Sequence, residues 1–152
     1  MVEVDTGRFT VGVFQDAAWA RKGIEALKAV GIPVDWISII AKDSPENGAL
    51  MQDAFGLPGD HLELASAGPS LARGPIVAVL QGGSRDLATL GLAGTMRRVG
   101  FQAHDCRIFE ALTARGGVLV AIKSEPRAAD SLAILHSYGG GNAAIGAWTG
   151  RV

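Results

Sequence analysis

The feature that most constrains this chain is a pattern that occurs twice: an apolar strand, a helix with its own start and stop signals, and a second apolar strand. The first copy opens with Phe9-Thr10-Val11-Gly12-Val13-Phe14, a run rich in β-branched and aromatic residues. Asp16 offers an N-cap whose carboxylate accepts backbone N–H groups and opposes the helix dipole. Ala17, Ala20, Ile24 and Leu27 recur at spacings of three and four, which is one apolar helix face. Gly31 supplies a left-handed stop, and Val34 to Ile40 follows as the second strand. The second copy runs from the strand Gly117 to Ile122, through the cap Ser124 and the first-turn Pro126, to the stripe Ala128, Leu132 and Leu135. Gly139 is its stop and Ala143 to Trp148 its final strand. The copies align without a gap, Asp16 on Ser124, Ile24 on Leu132, Gly31 on Gly139 and Ile37 on Ile145.

Two such halves predict one α/β (α+β) domain, most simply a ferredoxin-like four-stranded sheet with two crossover helices. A length of 152 residues is enough for a single core. The expected division is 9–41 for the first half, 43–100 for an insertion, and 101–152 for a helix plus the second half. Within the insertion, Ser44 to Gly48 and Leu57 to Asp60 read as loop, with a helical turn around Ala49 to Phe55. From Gly68 the composition turns glycine-rich. Gly82-Gly83 turns, Ser84 caps a helix reaching Val99, and Ile76 to Leu80 reads as helix or equally as strand. The segment is therefore expected to be a small-residue helical hairpin, and Phe101 to Ala114 an amphipathic helix.

The strands carry a second message. Phe9, Val11 and Val13 occupy one face of the first strand, yet Phe14 lies on the other, and Val118 to Ile122 is apolar throughout. A sheet with one wet face alternates cleanly; this one does not, so both faces are expected to be covered. Two crossover helices cover one face, leaving the other to the Gly68–Gly100 segment or to another chain. The expectation is a mixture: a homodimer or larger assembly packing sheet to sheet, the glycine-rich segment allowing close backbone approach.

Composition limits the function classes. A net charge of −1 without charge runs supplies no basic face for phosphates, so no nucleic acid is expected. Cys106 is the only cysteine, which excludes an internal disulfide and fits a reducing, cytoplasmic setting. Met1 to Thr10 has no apolar core of the secretory kind, and no stretch is long and apolar enough for a membrane span.

Candidate chemistry is sparse. Gln81-Gly82-Gly83-Ser84-Arg85-Asp86 precedes a helix, where exposed N–H groups and Arg85 can hold an anion. Gly82, Gly83, Ser84 and Arg85 are thus the candidate ligand-binding residues, although the segment lacks a Walker ending and more often makes only a turn. His104 and Cys106 point apart on a helix and cannot share a metal; His61 and His136 stand alone, so no metal site is expected. Asp105 and Glu110 face different ways. Cys106 on an amphipathic helix reads as packing rather than nucleophile, and Trp19, Trp36 and Trp148 as core or interface. No catalytic residues and no cofactor are expected.

Thr10-Val11-Gly12-Val13-Phe14, the Ala67-Gly68-Pro69 and Gly74-Pro75 pieces, Val99-Gly100-Phe101 before Arg107-Ile108-Phe109-Glu110-Ala111-Leu112, and Gly116 to Ala121 together resemble the general stress protein 17M-like family. These are heat-induced stress proteins of bacteria. The resemblance covers most of the chain and implies a compact two-half domain with a stress-linked role; it brings no catalytic residues. Arg73, Arg85, Asp86, Arg97 and Arg98 interrupt the glycine/alanine stretch that members often carry, which argues against membrane insertion. The expected function is a non-catalytic, stress-associated module acting by self-association or by docking on an assembly. The alternative is a small anion or nucleotide sensor at Gly82–Arg85.

Overall fold

The computed structural model describes residues 9–65, 67–81, 86–99, 101, 103–123 and 133–134. Strand β1 (Phe9–Phe14) leads into helix α1 (Ala17–Ala29). Asp16 is extended and its carboxylate accepts the Trp19 N–H at 3.0 Å, so α1 starts where its cap residue dictates. The helix buries Ala20, Gly23, Ile24 and Leu27. A Cβ on Gly23 would stand 2.5 Å from Phe14 Cζ, so the helix axis rides directly on that ring. A 3-10 turn (Val34–Trp36) then feeds β2 (Ile37–Lys42), so the expected second strand starts three residues late.

The middle of the chain holds more structure than its composition announces. Ser44 caps α2 (Pro45–Phe55) by accepting the Asn47 N–H at 3.1 Å, with Pro45 in the first turn. The buried Asn47 amide donates back to Lys42 O at 2.9 Å, tying the helix to the end of β2. An antiparallel hairpin follows, β3 (Asp60–Leu64) and β4 (Gly68–Arg73), where a loop and a helical segment were expected. Next come α3 (Pro75–Gln81), which settles Ile76–Leu80 as helix, α4 (Asp86–Val99), α5 (Ala103–Ala114) and β5 (Val118–Lys123).

Among the described residues the sheet is five-stranded, order β1-β5-β2-β4-β3, and every neighbouring pair is antiparallel. This corrects the ferredoxin-like four-stranded expectation. The hairpin hidden in the insertion adds two strands beyond β2, and the resulting order is not the ferredoxin one. Strand β5 lies between β1 and β2, with Val13 opposite Leu119 on one side and Ile39 opposite Val120 on the other. The second half's cap, helix and final strand (Ser124 to Trp148) lie outside the described residues, apart from Ala133 and Ile134.

Both sheet faces are covered by the chain itself. On one, Ile24, Leu27, Leu50 and Met51 of α1 and α2 meet Ile37, Ile39, Val118 and Val120, with Ile134 packed at the margin. On the other, Ile76, Leu87, Leu92, Met96 and Phe109 of α3, α4 and α5 meet Val11, Val13, Ile40 and Leu119. The two-sided apolarity of the strands is thus explained by a three-layer α/β/α arrangement. The faces of β1, β5 and β2 are thus occupied by the chain's own helices, the second cover being the middle segment plus α5. Among the described residues no helix is long and apolar enough to cross a membrane.

Candidate functional site

Antiparallel pairing brings three separate turns to one end of the sheet. The register Ile39 opposite Arg73 sets the end of β4 beside the start of β2, and Asp60 opposite Ala72 adds the start of β3. Helix α2 stops there as well, since Gly56 at φ 73 takes the left-handed cap that ends it. Pro33 and the 3-10 turn deliver Val34 and Asp35 to the same end.

The approach of β4 to β2 is close enough to dictate residue types. Gly74 sits at φ +117, and a Cβ there would lie 2.4 Å from Ser38 Cα, so glycine is required both for the backbone angle and for space. Having passed this point the chain turns into α3, whose Ile76 N–H donates to Ser38 Oγ at 3.0 Å in a fully buried setting. Ser38 is therefore the acceptor that fixes the start of α3, satisfying a donor that the helix cannot satisfy internally.

Between these elements lies a cavity of about 310 Å³ lined by Val34, Asp35, Ile37, Phe55, Asp60, Arg73, Gly74 and Pro75. That volume is at the lower end of the range of about 300–1,000 Å³ for small-molecule sites. Its exposed lining is mainly polar, since Ile37 is completely buried and Phe55 half-buried. Three charges stand around it. Arg73 Nη1 is 3.6 Å from Asp60 Oδ2, with the arginine side chain 35% exposed and the aspartate 77%. Such an exposed, long pair contributes little stability, about 0–1 kcal/mol, and its members are readily recruited by another partner. Asp35 is exposed, and no ion pair to it is found among the described residues. A guanidinium and two carboxylates at the rim are equipped to orient a small polar molecule.

The residues singled out by sequence fare differently. Gly82, Gly83, Ser84 and Arg85 lie outside the described residues. The groups flanking them are engaged internally: Gln81 Oε1 accepts the Leu87 N–H at 3.0 Å, and Arg98 donates to Val79 O at 3.2 Å and Leu80 O at 2.7 Å while pairing with Asp86. Cys106 is buried, and burial, reinforced by Asp105, pushes its thiol up to about 11. It is protonated at neutral pH and unsuited to nucleophilic attack. His61 pairs with Asp43 at 3.4 Å on the surface and His104 is exposed; His136 and Trp148 lie outside the described residues. Trp19 is exposed with the Lys22 ammonium 4.6 Å from its ring centre, whereas Trp36 packs against the α1–α2 core, so these two do not make one stacking surface.

Glu110 proves more consequential than its spacing from Asp105 implied. Helix α4 is broken at Gly91, which has φ 78 and ψ 177. Glu110 Oε2 accepts the Ala93 N–H at 3.1 Å, capping the second part of α4 from a neighbouring helix. A Cβ on Gly91 would stand 2.9 Å from that oxygen. No sequence signal short of pairing α4 with α5 would have exposed this role.

No family model, no curated protein and no solved structure matches this chain.

Proposed function

We propose that this chain is a non-catalytic small-ligand-binding module whose recognition site is the cavity at the β2–β4 end. The observation that carries this reading is the lining itself: Arg73, Asp35 and Asp60 around an open groove walled by Val34, Phe55 and Pro75, brought together beside the obligatory Gly74. A concave site on which a few charged groups converge is the default place for a small molecule to bind. The sensor role first read at Gly82–Arg85 is thereby transferred to a different place on the fold. The resemblance to general stress proteins supplies the setting, a cytoplasmic protein reporting a stress metabolite to a larger assembly.

The test is a screen by amide chemical-shift perturbation against amino acids, amines, carboxylates, nucleotides and phosphate. Saturable shifts at Val34, Asp35, Ile37 and Gly74 are expected. No shift at those amides with any compound rejects the reading.

A second reading keeps the docking role. Val30, Val34 and Leu57 are 45%, 38% and 45% exposed, and they lie at the end where Lys28 Nζ donates to Ala54 O and joins α1 to α2. Exposed apolar residues grouped at one end are suited to a protein partner. Light scattering on the wild type and on Val30→Asp/Leu57→Asp decides it: a wild-type oligomer that dissociates on substitution favours docking, and a wild-type monomer counts against self-association.

A further inference from the structure

We infer that the ligand of this cavity is a free amino acid or a similar small zwitterion; the inference rests on the binding role proposed above and names its chemistry. Three observations converge. Arg73 is held half-buried at the edge of the cavity, and its only ion-pair partner among the described residues is Asp60, at 3.6 Å and largely in water. A planar guanidinium so placed is matched by a carboxylate, which it grips through two parallel N–H···O bonds; Asp60 at its present distance does not make that arrangement. A ligand carboxylate therefore has a better partner waiting than the protein itself supplies.

Arg73 alone would admit any anion. The other two charges narrow the choice. Asp35 and Asp60 are both at the lining, so the three ionised groups sum to −1, one guanidinium against two carboxylates. A phosphate or nucleotide, carrying two or more negative charges, brings like charge against both aspartates. A ligand whose carboxylate is accompanied by an ammonium group satisfies all three: the carboxylate on Arg73, the ammonium at Asp60, released from its long pair, and at Asp35. Val34, Phe55 and Pro75 complete the lining, whereas Ile37 is fully buried behind it. Nothing in the binding step breaks a covalent bond, in keeping with a sensor.

The experiment separates charge requirements on the intact protein. Leucine, 4-methylpentanoate (no amine), 3-methylbutylamine (no carboxylate) and inorganic phosphate are titrated by amide chemical-shift perturbation. Leucine is expected to give saturable shifts at Val34, Ile37 and Gly74, and each half-molecule to bind about tenfold or more weakly, as loss of a charge-assisted contact implies. Arg73→Gln should weaken leucine by a similar factor while leaving 3-methylbutylamine unchanged, a split that misfolding would not produce. Amine binding equal to leucine, or phosphate binding tighter than leucine, overturns the zwitterion while leaving a ligand site in place. Leucine and the other amino acids all failing to shift the cavity amides while another class succeeds overturns it too. Failure of every class sinks the binding role itself.

Discussion

Replacing Ser38 by alanine isolates the contact that sets the entry to α3. Ser38 is fully buried on β2, and its Oγ accepts the Ile76 N–H at 3.0 Å. Alanine fits the space, so no clash arises, and the volume lost is that of one hydroxyl. What changes is the Ile76 N–H, which stays buried without an acceptor. Such an orphaned donor costs about 1–3 kcal/mol, more than the net value of an ordinary exposed hydrogen bond. For a chain of this size each kcal/mol lowers Tm by about 2–4 °C, so a drop of roughly 2–12 °C is expected. Urea unfolding gives the free energy directly, and the Ile76 amide supplies a local readout: its hydrogen exchange should accelerate relative to core amides of β5. A free-energy change below about 0.5 kcal/mol with unchanged Ile76 protection would refute the assignment of Ser38 as the cap of α3.

Four further outcomes are expected. Leu27→Ala, at a position with no exposure, should cost about 2–5 kcal/mol in urea unfolding. Gly91→Ala forces a side chain into a backbone angle of φ 78 and against Glu110, so thermal unfolding should show a loss of at least about 1 kcal/mol. Glu110→Ala should destabilise by about 1–2 kcal/mol through loss of the Ala93 cap, with Glu110→Gln restoring part of it, as seen in calorimetry. The Cys106 thiol, raised from 9.0 to about 11, is protonated in the folded chain over a range where the unfolded chain has lost its proton. Stability is therefore unaffected below pH 9, and falls by up to about 3 kcal/mol between 9.0 and about 11. Cys106→Ala should lack that part of the alkaline slope, and wild-type Cys106 should resist alkylation at pH 7.5 until the protein unfolds.

How much was legible depended on where each element stores its information. Helix α1 announces itself in contiguous residues: Asp16 before it, Ile24 and Leu27 within it, Gly31 after it. Strands β1 and β5 are almost continuously apolar because helices cover both of their faces, and that need for two covers was readable from the residue pattern along the strands. The β3–β4 hairpin was not. As the outer strand of the sheet, β3 places Asp60, His61 and Glu63 in solvent, and β4 carries Pro69 near its start, so neither shows the run expected of a strand. Ser44-Pro45 was an available signal for α2 and was outweighed by the neighbouring loop residues. The cavity had no local motif to find. Its members span Val34 to Pro75 and meet only because β2, β3 and β4 pair in one register. A glycine pair before a helix, by contrast, is conspicuous whether or not it binds anything.

The position of β5 has a consequence for how the chain is made. It separates β1 from β2, so neither of these strands completes its ladder before residues 118–123 exist. Strand β1 has no other partner among the described strands, and it is synthesised roughly a hundred residues earlier. At the ribosome's pace of about 5–20 residues per second, Phe9 to Phe14 waits about 5–20 s for its first ladder contact. During that wait an apolar, β-prone segment stands without its ladder partner in the growing chain. The nascent chain is thus most exposed to misassociation through β1 during that interval.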